Sequence, residues 1–262
     1  MKYYYREHLS GYEKIQREGK KSWDEIHGNP DGFEQFSSRP FLEQVLPGLT
    51  FNVERPRALE LGCGTGPGAC FFAERGFEVD AVDLIPTAID IARRIATERN
   101  LEVHYEVMDV TLLPHSGVQY DLIVDSYCLQ GIVMDTDRKS VFYAVCARLK
   151  PSGYYLVSTA MYDAGRHHPE DAVTEPVSGV VYHRYDNECL FNPENSVYCE
   201  PVSNAERGYE GRIAIAGRWY LPTRRYRTAP GLRAELETEG FNVILQSGQF
   251  GENVVCQWRA DS

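Results

Sequence analysis

The sequence predicts a doubly wound α/β fold around a mostly parallel sheet, and three observations carry that prediction. A glycine-rich turn, Gly62-Cys63-Gly64-Thr65-Gly66, separates an apolar stretch at 58–61 from a helical one at 69–75. An aspartate, Asp83, closes the next apolar stretch at 77–82. Strand-like and helix-like segments then alternate as far as residue 160. Alternation of that length demands parallel pairing through crossover helices. Glycines in such a turn let the backbone run close beneath a ligand where a Cβ would clash. The helix behind the turn offers unpaired N–H groups, and a carboxylate ending the second strand can accept hydrogen bonds from both hydroxyls of a ribose. The stretch reads as a nucleoside site.

The elements follow in order. Leu9, Tyr12 and Ile15 recur at helical spacing, which predicts an amphipathic helix over 5–18. Ser22-Trp23-Asp24-Glu25 is a capping-box pattern, and Asn29-Pro30-Asp31-Gly32 is turn chemistry. Ser37 and Ser38 are expected to cap a helix carrying Phe41, Leu42, Val45 and Leu46. Past Asp83, a helix from Pro86 to Asn100 shows the stripe Ala88, Ile89, Ala92, Ile95 and Ala96. Strands are expected at 101–107, 120–124 and 154–160, with a helix at 137–149 broken by Lys150-Pro151-Ser152-Gly153. Thr228 caps a helix stopped by Gly240, and 241–245 and 254–258 form a last pair, giving seven strands. The expected division is a helical cap at 1–56, a core at 57–160 and 228–262, and an inserted substrate-binding subdomain at 161–227. Within the insertion, 180–184 and 211–219 alternate well enough to be antiparallel strands.

Composition narrows the function classes. Hydrophobic residues make up 43% and charged residues 25% of 262 residues, as in an ordinary soluble globular protein. No apolar run reaches the length of a membrane span, and MKYYYREHLSG has no apolar h-region, so export is not expected. The seven cysteines are odd in number and form no C-x-x-C pair, so reduced thiols and a cytoplasmic setting are expected. A net charge of −11 argues against nucleic acid as a partner. His167 and His168, with Asp163 or Asp171, lack further ligands at firm spacing, so no metal is expected.

The glycine turn has two phasings. Gly64 to Ala69 fits the G-x-G-x-x-A form of a dinucleotide fingerprint. The other phasing is Glu60-x-Gly62-x-Gly64-x-Gly66, with an acidic residue ahead of the glycines, and a carboxylate there would repel a pyrophosphate. With Asp83, Asp109, the Asp125-Ser126 pair and Leu149-Lys150-Pro151-Ser152-Gly153, it resembles the motif series of class I S-adenosylmethionine-dependent methyltransferases. The resemblance covers roughly residues 57–160, and Ser152 departs from it where those proteins carry glycine.

That resemblance implies a Rossmann-like methyltransferase fold with S-adenosyl-L-methionine as methyl donor and S-adenosyl-L-homocysteine as product. It assigns the donor to Glu60, Gly62, Cys63, Gly64 and Gly66 around the turn, and to Asp83 and Leu84 at the ribose. Met108, Asp109 and Val110 belong at the adenine, and Asp125 and Ser126 at the methionine end. Asp125 has a second reading, as the cap of a following turn. Gln130 stands where many relatives have a histidine, and an amide offers no base. Among the aromatics of the prelude, Tyr4 and Trp23 are expected in a lid over the transferring methyl group. Tyr162, His183 and Trp219 of the insertion are the residues expected against the acceptor.

The expected activity is transfer of a methyl group to a small molecule, directed to nitrogen, with oxygen and sulfur open, by a monomer or homodimer. A nicotinamide-dependent oxidoreductase and a non-catalytic cofactor-binding module are the rival classes.

Overall fold

The structure, a computed structural model, describes residues 1–115, 117–163, 172–185, 188–203 and 208–258. From the N-terminus come α1 (Tyr5–Arg17), α2 (Trp23–Ile26) and α3 (Arg39–Val45). The next elements are β1 (Arg57–Leu61), α4 (Pro67–Ala73), β2 (Glu78–Asp83), α5 (Pro86–Glu98) and β3 (Val103–Val107). They are followed by β4 (Tyr120–Ser126), α6 (Asp135–Arg148) and β5 (Leu149–Ser158). Six strands then run in succession: β6 (Ala172–Thr174), β7 (Val181–Tyr185), β8 (Cys189–Asn192), β9 (Val197–Val202), β10 (Ile213–Ile215) and β11 (Arg218–Arg225). The last elements are α7 (Ala229–Thr238), β12 (Phe241–Ser247) and β13 (Asn253–Trp258).

The main sheet has seven strands in the order β12-β13-β5-β4-β1-β2-β3. β1 pairs in parallel with both β2 and β4, and β2–β3 and β4–β5 are parallel as well. β13 runs antiparallel between β5 and β12. The winding direction reverses between β1 and β4, so the crevice at the carboxyl ends of these strands is where a ligand of an open α/β sheet binds. β4 is central and covered on both faces, which is why Leu122, Ile123 and Val124 are consecutive and all buried. On α5 the expected stripe of alanines and isoleucines is buried against the sheet. Thr228 caps α7 by accepting from the Gly231 N–H, and Ser22 caps α2 in the same way from Glu25.

A second, antiparallel sheet, β10-β11-β9-β8-β7-β6, is built from chain between β5 and α7. β7 matches the stretch expected at 180–184, but the run expected as one strand at 211–219 is a hairpin. Ala216 and Gly217 both take positive φ, 50° and 77°, and turn β10 back into β11. Alternation persists through a two-residue turn, so the pattern alone did not show the reversal.

Two local expectations are corrected. Lys150-Pro151-Ser152-Gly153 does not precede the fifth strand but lies within it. Leu149 already pairs with Tyr120, and the ladder resumes at Tyr154 opposite Leu122, with Ser152 at φ 65° in the bulge. Ser37 and Ser38 do not cap α3, because both side chains are engaged elsewhere. Ser37 binds the Asp24 carboxylate through its N–H and hydroxyl, and the Ser38 hydroxyl meets that of Ser126 at 2.8 Å. His167, His168 and Asp171 lie outside the described residues. Among the described residues no helix is long and apolar enough to cross a membrane.

One buried ion pair fixes the loop that leaves β4. Arg138, 3% exposed, donates to both carboxylate oxygens of Glu235 on α7 at 2.7 Å. Its remaining terminal nitrogen donates to the carbonyls of Leu129 (2.7 Å) and Ile132 (2.9 Å). Arg138→Met leaves the two carbonyls without this donor and Glu235 with only the longer contact from Arg227 (3.3 Å), and is expected to lower stability by about 3 kcal/mol in urea unfolding. Arg138→Met with Glu235→Leu should recover part of that loss, because no carboxylate then stays buried beside a thioether.

Candidate active site

The carboxyl ends of β1 to β4 open into one cavity of about 310 Å³. Glu60, Gly62, Cys63, Gly64, Asp83, Leu84, Met108, Asp109, Val110 and Ser126 line it from the sheet side. Tyr4, His8 and Tyr12 come from the N-terminal segment, Trp23 and His27 from α2 and its C-terminal cap, Tyr127 and Gln130 from the loop after β4, and Arg224 from β11. Tyr4 and Trp23, expected as lid residues, therefore share a single space with the residues expected at the donor.

Asp83 anchors the sheet side. One carboxylate oxygen accepts the Ile85 N–H and the other the Gly64 N–H, both at 2.9 Å. The Tyr12 hydroxyl stands 3.5 Å from the second oxygen. Burial pushes the Asp83 carboxyl up to about 6 even though these donors pull it down. Gly64 has φ 58°, and a Cβ there would fall 2.8 Å from the Tyr12 hydroxyl, so the turn needs glycine twice over.

Glu60 settles what the helix behind the turn can bind. Its carboxylate accepts from the Ala69 N–H in the first turn of α4, and it lies buried, with its acid pushed up to about 8 by desolvation. One of its oxygens has no partner among the described residues. The carboxyl takes an N–H in the first turn of α4 that would otherwise face a phosphate, and its unpartnered oxygen can accept from a ligand amino group.

Asp109 is held by three donors. Its oxygens accept from the Tyr4 hydroxyl at 2.8 and 3.0 Å, from the Thr111 N–H at 2.9 Å and from the Thr111 hydroxyl at 2.8 Å. One oxygen of Asp125 acts as a cap. It accepts the N–H groups of Cys128 (2.9 Å) and Leu129 (3.0 Å), capping the turn at Leu129–Gly131, and does not line the cavity. Burial pushes it up to about 7. Gly66 also faces away: a Cβ there would come within 2.3 Å of the Tyr105 hydroxyl, so its role is packing against β3.

The three residues expected from the insertion stand outside the cavity lining. Tyr162 stacks on Phe191 with ring centroids 5.4 Å apart. His183 sits in β7 between Ala172 and Phe191. Trp219 carries the Arg212 guanidinium 3.6 Å above its ring. Arg224 is the residue of β11 that reaches the cavity, and Trp219 lies five residues back along the strand, about 16 Å away.

Sequence reading missed His8, Tyr12 and Cys128. A signal was present for the first two: Tyr4, His8 and Tyr12 are spaced by four, so they share one helix face. Tyr12 was read only as an apolar packer. The face approaches closely because α1 presents Gly11 to Trp23, whose ring occupies the space a side chain would need. Burial and the nearby Arg224 hold the His8 imidazole neutral, pushed down to about 4 against the opposing pull of Glu7. Arg224 itself is gripped by both carboxylate oxygens of Glu7.

Residues 58–153 match the family model described as a methyltransferase domain. Among curated proteins, a ubiquinone biosynthesis O-methyltransferase of Alkalilimnicola ehrlichii is 36% identical over 121 residues, 45% of this chain and 46% of the relative. The chain spans about half the length of the curated relatives it matches. Among solved structures, an S-adenosylmethionine-dependent methyltransferase of Clostridium acetobutylicum superposes with a TM-score of 0.60 at 18% identity, covering 94% of this chain and 97% of that one. A glycopeptide N-methyltransferase, MtfA, crystallised with S-adenosyl-L-methionine, gives 0.52 at 22% identity over 86% of this chain and 92% of its own. Residues 58–153 thus match a methyltransferase domain, and the chain shares the fold of S-adenosylmethionine-dependent methyltransferases.

Proposed function

We propose that this protein is an S-adenosylmethionine-dependent methyltransferase acting on a small molecule. The observation that carries the reading is the pairing of Asp83 and Glu60. One buried carboxylate is aimed by two backbone N–H groups at the end of β2, and a second fills the start of α4. A nucleoside with two free hydroxyls and an amino-acid tail suits both carboxylates. A nicotinamide dinucleotide suits only the first.

The fit extends along the cavity. Asp83 would take the ribose, Met108, Asp109 and Val110 would border the base, and the unpartnered Glu60 oxygen would receive the ammonium of the amino-acid tail. The bound donor would supply a methyl group already activated on a sulfonium. What the chain adds is alignment and dryness: Tyr4, Trp23 and Tyr127 wall the cavity with rings, and holding two reactants in line is worth several kcal/mol. No residue need act as a strong base for an acceptor that is acidic or arrives deprotonated.

For the accepting atom, the sequence pointed to nitrogen. The lining supports oxygen, because the Gln130 amide, its oxygen held by the Ala160 N–H, leaves its NH₂ as a donor beside the cavity. The names of relatives include transfer to either atom.

Asp83→Ala should weaken S-adenosylhomocysteine binding by roughly 1.5–3 kcal/mol in calorimetry, the scale of a hydrogen bond to a charged group. Unchanged affinity in a folded variant would remove the ribose assignment, and firm binding of NADH without S-adenosylhomocysteine would remove the whole reading. Glu60 gives a separate check through stability. Its folded value, about 8, lies above its ordinary value, so its contribution is present at low pH and is lost as pH rises towards 8. Glu60→Gln, which mimics the protonated acid, should therefore be increasingly stabilised relative to the unmodified protein from pH 5 to pH 8. Thermal unfolding of the two proteins across that range measures the difference, and a constant offset would show that Glu60 is ionised throughout.

A further inference from the structure

Gln130, His8 and Arg224 come from three distant parts of the chain and meet at one wall of the cavity. Each is constrained in a way that decides what it can recognise. The Gln130 side-chain oxygen accepts the Ala160 N–H at 3.0 Å, which fixes the amide so that its NH₂ is the end left for the cavity. The His8 ring stands over the same loop: a Cβ built on Gly131 would lie 3.5 Å from its Nε2. Arg224 is the only guanidinium among the lining residues, and its charge is closed against Glu7 by two parallel hydrogen bonds.

This wall is polar without carrying net charge. A carboxylate or phosphate on the incoming molecule would need a cation not already paired, and an ammonium would need a carboxylate other than Glu7. An oxygen such as a ketone or hydroxyl can accept from Gln130, while a hydroxyl hydrogen finds the lone pair of a neutral imidazole. We propose that Gln130 and His8 form an acceptor subsite specific for an uncharged, oxygen-bearing ring, with the Glu7–Arg224 pair closing it to ionised groups. This rests on the methyltransferase reading above and adds to it the class of acceptor and the residues that select it.

The test uses three phenols that differ in charge: 4-hydroxyacetophenone (neutral), 4-hydroxybenzoate (anionic) and tyramine (cationic). Each is titrated by saturation-transfer NMR into the full chain saturated with S-adenosylhomocysteine. The neutral phenol is expected to bind at least about tenfold more tightly than either charged one, and Gln130→Leu or His8→Phe should each weaken it about fivefold, the loss of one hydrogen bond. Affinity for S-adenosylhomocysteine should be unchanged in both variants, which shows that they fold. The proposal is overturned if a charged phenol binds as tightly as the neutral one, if both variants bind like the unmodified protein, or if no phenol binds to protein that holds S-adenosylhomocysteine. Failure to bind S-adenosylhomocysteine at all would instead remove the methyltransferase reading.

Discussion

The Asp83 carboxylate, tied to the Gly64 and Ile85 N–H groups, is the contact on which the rest of this structure depends. It joins the turn after β1 to the turn after β2, so two loops that would otherwise move independently share one acceptor. Two backbone donors offset much of the desolvation cost of a buried acid, and they also aim it, because amides in fixed turns cannot rotate away. The positive φ of Gly64 follows from this geometry. So does the place of Tyr12, whose hydroxyl is drawn to the remaining face of the same carboxylate.

Asp83 is not alone in its burial. Glu60 and Asp125 lie beside it, each with an oxygen that has no partner among the described residues, and all three acids are pushed upwards by desolvation. Desolvation disfavours the ionised form of each, and at Glu60 the neighbouring Asp83 and Asp125 charges add to that cost. A ligand with hydroxyl and ammonium donors would relieve it, whereas a second anion would add to it. The same arrangement explains why a glycine turn with a dinucleotide-like spacing need not bind a dinucleotide. The start of α4, which in such a site faces phosphate, is already occupied by the buried Glu60 carboxyl.

The half of the cavity formed by the sheet was legible in the sequence because its determinants are local. Glu60, the glycines and Asp83 fall within one strand–turn–helix–strand unit, and each strand end could be located from apolar runs and breakers. Where the reading slipped, a local pattern had two physical outcomes. Asp125 was open between ligand and cap, and only the positions of the Cys128 and Leu129 N–H groups decided for the cap. Gly66 looked like part of the ligand turn until Tyr105 was found packed against it. Ser37 and Ser38 carry a capping signature, yet Asp24 and Ser126 compete for them through contacts that no helical pattern encodes.

The opposite half was not legible, and for the converse reason. Its residues are ordinary in their own segments and acquire meaning from partners far along the chain: His8 from Gly131, Gln130 from Ala160, Arg224 from Glu7, and the whole loop after β4 from the Arg138–Glu235 pair. Aromatic content made Trp219 a more conspicuous choice than Arg224, but Trp219 lies about 16 Å back along β11 from Arg224 and does not line the cavity. The two halves therefore differ in how substitution can change them. Altering a strand end disturbs the turn that it belongs to, while altering one side of a long-range pair frees the other without unmaking any element. A fold built this way can keep the sheet side of the cavity fixed and vary the opposite side by exchanging a few residues on α1, β11 and the loop after β4.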